Sequence, residues 1–151
     1  MLCIRIFLLA LLLPSCMHGF RKLNFVIDSD HSKMVHLVVP KGYTRQEKIG
    51  DSSYNQNVFH YSDGSTLYFV YAKDTSRIFQ PINFGDNMPK AAFGIPYYKG
   101  IDSAGKYWRE SRKGFYKAGY TSVEEDNDWR FDSSLNYFII RGVNASVKPV
   151  Q

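Results

Sequence analysis

Val58-Phe59-His60-Tyr61-Ser62-Asp63-Gly64-Ser65-Thr66-Leu67-Tyr68-Phe69-Val70-Tyr71 is the stretch that decides the fold. Two runs rich in aromatic and β-branched residues flank a polar centre, and such residues favour extended, half-buried backbone. Asp63-Gly64 supplies the turn, because glycine accepts positive φ at no steric cost and aspartate tolerates it. The stretch therefore predicts an antiparallel hairpin. A hairpin needs neighbouring strands and an apolar face to be stable in water, so it predicts a sheet protein around it.

On the N-terminal side, Leu23 to Ile27 and Met34 to Val39 read as short strands, separated by the turn cluster Asp28-Ser29-Asp30-His31-Ser32. Pro40-Lys41-Gly42 is a loop signal, and residues 44 to 56 are polar with no clear period. On the C-terminal side, Pro81 to Lys106 combines three prolines and four glycines with eight large apolar residues, which is too apolar for a disordered linker. It reads as a long loop closing over the sheet, with a short helix near Lys90 to Phe93, and a loop of that length is a candidate for function. Tyr107-Trp108-Arg109-Glu110 reads as a strand, and Gly114 to Val123 as another interrupted by its glycines. Glu124 to Asp128 is an acidic turn. Phe131, Leu135, Phe138 and Ile139 fit one helix face with Asp132 as its N-cap, while Leu135 to Arg141 also reads as a strand. The expected fold class is α+β: one small domain over residues 23–143, mostly antiparallel sheet with one or two short helices, and a loose tail at 144–151.

The chain's 151 residues are one domain's worth of material. Its 44% hydrophobic and 22% charged composition is that of a folded domain, so disorder and collagen-like structure are excluded. A net charge of +5, scattered along the chain, does not argue for a nucleic-acid partner. Two cysteines exclude a disulfide-dense scaffold and a Cys-based zinc site.

The N-terminus carries its own signal. Arg5 precedes the unbroken apolar run Ile6-Phe7-Leu8-Leu9-Ala10-Leu11-Leu12-Leu13, the charge and length of an export signal. Roughly 20 residues are needed to span a bilayer, so the run is too short for that. It ends in Leu13-Pro14-Ser15-Cys16, which resembles the lipobox of bacterial lipoproteins, with Pro14 standing where Ala, Ser or Thr is commoner. That resemblance implies a signal peptide over 1–15, acyl chains on Cys16, a short tether over 16–22 and an attachment to the membrane through the lipid. Two or three chains anchor firmly where one does not. Met17-His18-Gly19-Phe20-Arg21-Lys22 lacks both the Asp after Cys and the acidic cluster of other sorting signals, so the resemblance implies the outer membrane with the domain facing the periplasm. Cys3 leaves with the signal and Cys16 is consumed, so no thiol remains for nucleophilic or redox chemistry.

Catalytic patterns are missing. There is no phosphate-binding glycine loop, no Gly-x-Ser-x-Gly elbow and no His-Glu-x-x-His. Loops started at Glu124 or Asp126 fail the calcium pattern at positions 5, 6 or 12. His31, His36 and His60 lack the spacing of a zinc site, so neither metal nor cofactor is expected. Aromatics are the excess, with eleven Tyr, eleven Phe and two Trp. They exceed what a core buries with every hydroxyl satisfied, and exposed Tyr and Trp suit binding surfaces. Tyr97, Tyr98, Tyr107 and Trp108 are the candidate surface. The expected function is a non-enzymatic, lipid-anchored envelope protein that binds a partner protein. The alternatives are a glycan or small-ligand module using the same aromatics, and a small hydrolase using His60 with Asp63.

Cys16→Ala is expected to abolish incorporation of labelled fatty acid and to leave the precursor unprocessed or released. A variant that still fractionates with the outer membrane would overturn the lipobox reading.

Overall fold

Alternation along the strands builds the interior. In the computed structural model, which describes residues 19–26, 33–51, 53–74, 90–92, 95–136 and 138–142, the described chain runs through ten strands and one α-helix. The strands are β1 (Phe20–Val26), β2 (Lys33–Pro40), β3 (Tyr43–Gly50), β4 (Tyr54–Tyr61), β5 (Thr66–Ala72), β6 (Lys90–Ala92), β7 (Ile95–Ile101), β8 (Tyr107–Lys113), β9 (Tyr116–Val123) and β10 (Ile139–Gly142). A 3-10 turn at Glu125–Asn127 leads into helix α1 (Asp128–Asn136). Three strands form a small sheet in the order β1-β2-β10, and seven form a large one in the order β3-β4-β5-β9-β8-β7-β6. Every pairing is antiparallel.

The core lies between the two sheets. Val35, Leu37 and Val39 point inward from β2, Leu67, Phe69 and Tyr71 from β5, and Ala118 and Tyr120 from β9. Helix α1 closes one flank with Phe131 and Leu135, and Phe138 follows them into the same cluster. Edge-on ring contacts tie the layers together: Phe25 to Phe69 at 5.7 Å and Tyr61 to Phe131 at 5.1 Å between centroids. Each such pair adds about 0.5–1.5 kcal/mol beyond the area buried.

The hairpin of β4 and β5 forms as the sequence predicts, with His60 opposite Thr66. Tyr61 N donates to Ser65 O at 3.0 Å and Gly64 N to Tyr61 O at 3.1 Å, with Gly64 at φ +85°. Only the glycine enters the left-handed region. Asp63 instead accepts from Ser65 N through Oδ1 at 2.9 Å, so its side chain, not its backbone tolerance, makes the turn. Asp102 to Lys106 repeats the design between β7 and β8, with Gly105 N donating to Asp102 O and Gly105 at φ +76°.

Five expectations change. The domain is largely β, since the described residues hold a single short α-helix rather than a balanced share. The polar stretch after Gly42 is strand β3, whose period is hidden because the strand lies at a sheet edge with most side chains exposed. Lys90–Ala92 is a strand paired with Ile95–Tyr97, not a helix, so the second half of the apolar loop belongs to the sheet. Asp132 lies inside α1 rather than capping it, and the chain leaves the helix at Asn136 before β10 starts at Ile139. Strand β1 also begins at Phe20, ahead of the apolar run, because Phe20 and Arg21 pair with Pro40 and Val39. The signal segment and Cys16, the turn carrying His31, residues 81–89 and the tail at 144–151 lie outside the described residues.

Gly64→Val is expected to destabilise the domain by about 1–3 kcal/mol, the cost of holding a β-branched residue at positive φ. A melting temperature equal to wild type would contradict the turn geometry.

Candidate functional site

Strands β7 and β8 carry all four candidate aromatics, and their register sorts them. Tyr98 lies opposite Glu110 and Gly100 opposite Trp108, while Tyr97 lies opposite Ser111, Lys99 opposite Arg109 and Ile101 opposite Tyr107. Residues directly opposite share a face, and consecutive residues alternate. Tyr98 and Trp108 therefore stand on the outer face of the large sheet, and Tyr97 and Tyr107 on the face that α1 covers. The four residues divide into two pairs on opposite sides.

The covered side is a charged layer. Arg109, only 3% exposed, donates from one terminal nitrogen to Asp132 Oδ1 at 3.0 Å and from the other to Asn136 Oδ1 at 2.9 Å. Its guanidinium stacks on the Tyr97 ring at 3.9 Å. Among the described residues its Nε has no hydrogen-bond partner. Lys99 Nζ donates to Asp128 Oδ2 at 2.5 Å and to Asp132 Oδ2 at 2.7 Å, and Tyr120 Oη donates to Asp132 Oδ1 at 2.9 Å. Burial alone would raise the Asp132 pKa, but the hydrogen bonds and charges of Lys99 and Arg109 hold it below the ordinary 3.8. Burial likewise opposes the charge on Lys99, and its two carboxylate partners raise it above 10.5 all the same. Burial, and then the Asp132 charge, push the Tyr120 phenol up.

The outer side is built around Glu110, 2% exposed in the middle of β8. Tyr68 Oη donates to its Oε2 at 3.0 Å, Arg112 Nε to its Oε1 at 2.5 Å, and Lys117 Nζ lies 3.2 Å from Oε2. Tyr68 belongs to β5 and Glu110 to β8, with β9 between them. Gly119 makes the reach possible, because it lies opposite both residues and any Cβ there would run into the Tyr68 ring and the Arg109 carbonyl. Burial, and then the Glu110 carboxylate, hold the Tyr68 phenol well above its ordinary 10.0. Beyond Glu110, the Arg112 guanidinium lies over the Tyr98 ring at 5.8 Å. Trp108 packs flat on Gly100, where a Cβ would lie 2.9 Å from the indole. The result is a half-buried aromatic surface bordered by two cations and one neutralising carboxylate.

The remaining candidates lie apart. His36, on β2, is bonded through Nδ1 to Asn24 Oδ1 at 2.7 Å. His60, on β4, has Glu47 Oε2 at 3.1 Å and Arg45 at 3.3 Å as its polar neighbours, while the Asp63 carboxylate serves the turn. No cluster of three metal-ligating side chains occurs among the described residues. Nor is any helix among them long and apolar enough to cross a bilayer. Residue spacing could not bring Lys99, Arg109 and Asp132 together, but two adjacent opposite charges, Arg109-Glu110, within an aromatic strand were the visible signal. Alternation sends them to opposite faces. No protein-family model, curated protein or solved structure matches the chain.

Because the folded Asp132 pKa lies below the ordinary value, its ion pairs stabilise the domain above about pH 4 and are lost as pH falls through the lowered value. Asp132→Asn is expected to cost about 2–4 kcal/mol at neutral pH, since it leaves the buried Arg109 poorly compensated, and to flatten the loss of stability in acid. Denaturant melts of the two proteins at neutral and acid pH check both statements. An equal acid dependence would show that the carboxylate is not the group titrated.

Proposed function

We propose that this is a lipid-anchored, non-enzymatic envelope protein that binds a partner protein through the outer face around Tyr98 and Trp108. The observation that carries the reading is their placement side by side on β7 and β8, next to Arg112 and Lys117. Rigid aromatics beside arginine are the residues that dominate binding energy at protein interfaces. The strands hold them without loops, so little side-chain freedom is left to lose on association.

A binding role also agrees with how the polar groups are used. Glu110 accepts from Tyr68 and Arg112 and faces Lys117, so both its oxygens are engaged within the protein. His60 faces Glu47 and Arg45 on a different strand pair, well apart in the sheet order from Trp108. The Leu13-Pro14-Ser15-Cys16 ending supports the anchor. Tethering beside a membrane raises the local concentration of both partners, so a modest surface suffices.

A photo-cross-linker placed at position 98 is expected to give one discrete envelope-protein product in cells, lost in Trp108→Ala. The same cross-linker at Lys48, on the opposite edge strand, is expected to give none. Tyr97→Ala should act differently, lowering the melting temperature through the lost Arg109 stack. Thermal stabilisation by a saccharide with no cross-linked product would move the reading to a glycan module.

A further inference from the structure

The end of the domain where β1 begins is basic. Lys41 N donates to Gly19 O at 2.8 Å, and a terminal nitrogen of Arg130 donates to Lys41 O at 3.3 Å, so a strand start, a turn and the first turn of α1 meet at one point. Arg21 lies two residues further along β1 and donates to Tyr43 Oη at 2.8 Å, while Lys22 is exposed on the other face of the strand. None of Arg21, Lys41 and Arg130 forms an ion pair with a carboxylate among the described residues. Next to Arg130 stands Trp129, 59% exposed and the most exposed large apolar side chain among the described residues. Acidic residues adjoin this end. Glu124 pairs with Lys106, Glu125 accepts from Tyr107 and Asp63 is bound into the hairpin turn, while Asp126 stands exposed one turn ahead of Arg130.

We propose that Arg21, Lys41 and Arg130, with Trp129 at their margin, form a surface that seats the domain on anionic lipid headgroups. This rests on the lipid-anchor reading of Cys16. Cys16 is three residues from Gly19, a reach of at most roughly 11 Å for extended chain. That is close to the ~8 Å over which a charged membrane surface acts at physiological salt. The cations nearest the tether are therefore the ones that meet the headgroups, and each adds about 1 kcal/mol, or about fivefold, to the seated population. An indole fits the headgroup level, with its ring in the apolar boundary and its N–H hydrated.

The test uses the full chain isolated from membranes, carrying Trp108→Phe so that Trp129 is the only tryptophan. It is reconstituted in phosphatidylcholine vesicles with or without phosphatidylglycerol, each containing a headgroup-level quencher. Trp129 emission is expected to be quenched only with phosphatidylglycerol, to recover in high salt, and to show a seated-to-unseated ratio about fivefold lower in Lys41→Gln and in Arg130→Gln. Equal quenching in both lipids, no quenching, or quenching unmoved by Lys41→Gln overturns the surface. Lys41 is an exposed turn residue, so this variant decides the matter even if Arg130→Gln disturbs the helix. The mass of the N-terminal peptide reports separately on the anchor. If Cys16 carries no lipid, the anchor reading falls, and flotation of the unlipidated chain with phosphatidylglycerol vesicles judges the surface. Binding weakened by Lys41→Gln upholds it, and no binding overturns it.

Discussion

Asp132 receives hydrogen bonds from three strands at once: Arg109 of β8 and Tyr120 of β9 on one oxygen, with Lys99 of β7 on the other. Helix α1 is short, amphipathic only in part, and unable to persist by itself in water. Its place is held by Phe131 and Leu135 below and by this charged layer beside them. Phe131 meets the Tyr61 and Tyr120 rings at 5.1 and 5.5 Å between centroids, and the layer holds the helix over that contact. The seal on the core is therefore partly electrostatic. Desolvation offsets much of the attraction in such an arrangement while it is intact, and it fails sharply when one partner goes, because the others are left charged and poorly hydrated.

The large sheet has a second polar centre on its other side. Glu110 and Arg109 are neighbours in sequence, yet each anchors a different network on a different face. Gly119 connects the two architectures by giving Tyr68 a path across β9, so the outer network spans three strands instead of two. With both faces polar and aromatic, this part of the sheet has little room to slip its register. A shift of one residue would bury Glu110 under the helix beside Asp132.

The hairpin at Asp63-Gly64 was legible because its signals are local: two runs of strand formers and a turn residue between them. The strand at Tyr107 and the apolar helix positions Phe131 and Leu135 were legible for the same reason. Strand β3 was not, since Thr44 to Lys48 is almost entirely solvent-facing and an exposed edge needs no apolar period. Strands β6 and β7 were hidden by the prolines and glycines of their stretch, which read as breakers, although Pro96 lies within β7 opposite Ala91. The aromatic candidates were found by type, while their grouping could not be. Tyr97 and Tyr98 look adjacent on paper and stand on opposite faces in the strand. The Asp132 layer draws on residues 97, 99, 109, 120, 128 and 136, and only the sheet order brings these together.

That alternation gives the protein two nearly independent inheritances along one stretch of chain. From Tyr97 to Arg112, the residues facing α1 answer to the interior and those facing outward answer to whatever touches the surface. Substitution can remodel the outward set, one side chain at a time, without passing through an unfolded intermediate in evolution. Insertion or deletion cannot, because a single added residue would exchange the two sets wholesale. Diversification of this surface is thereby confined to point changes at Tyr98, Trp108 and the outward residues that do not pair with Glu110, and length variation is left to the turns at Asp102 and Gly114.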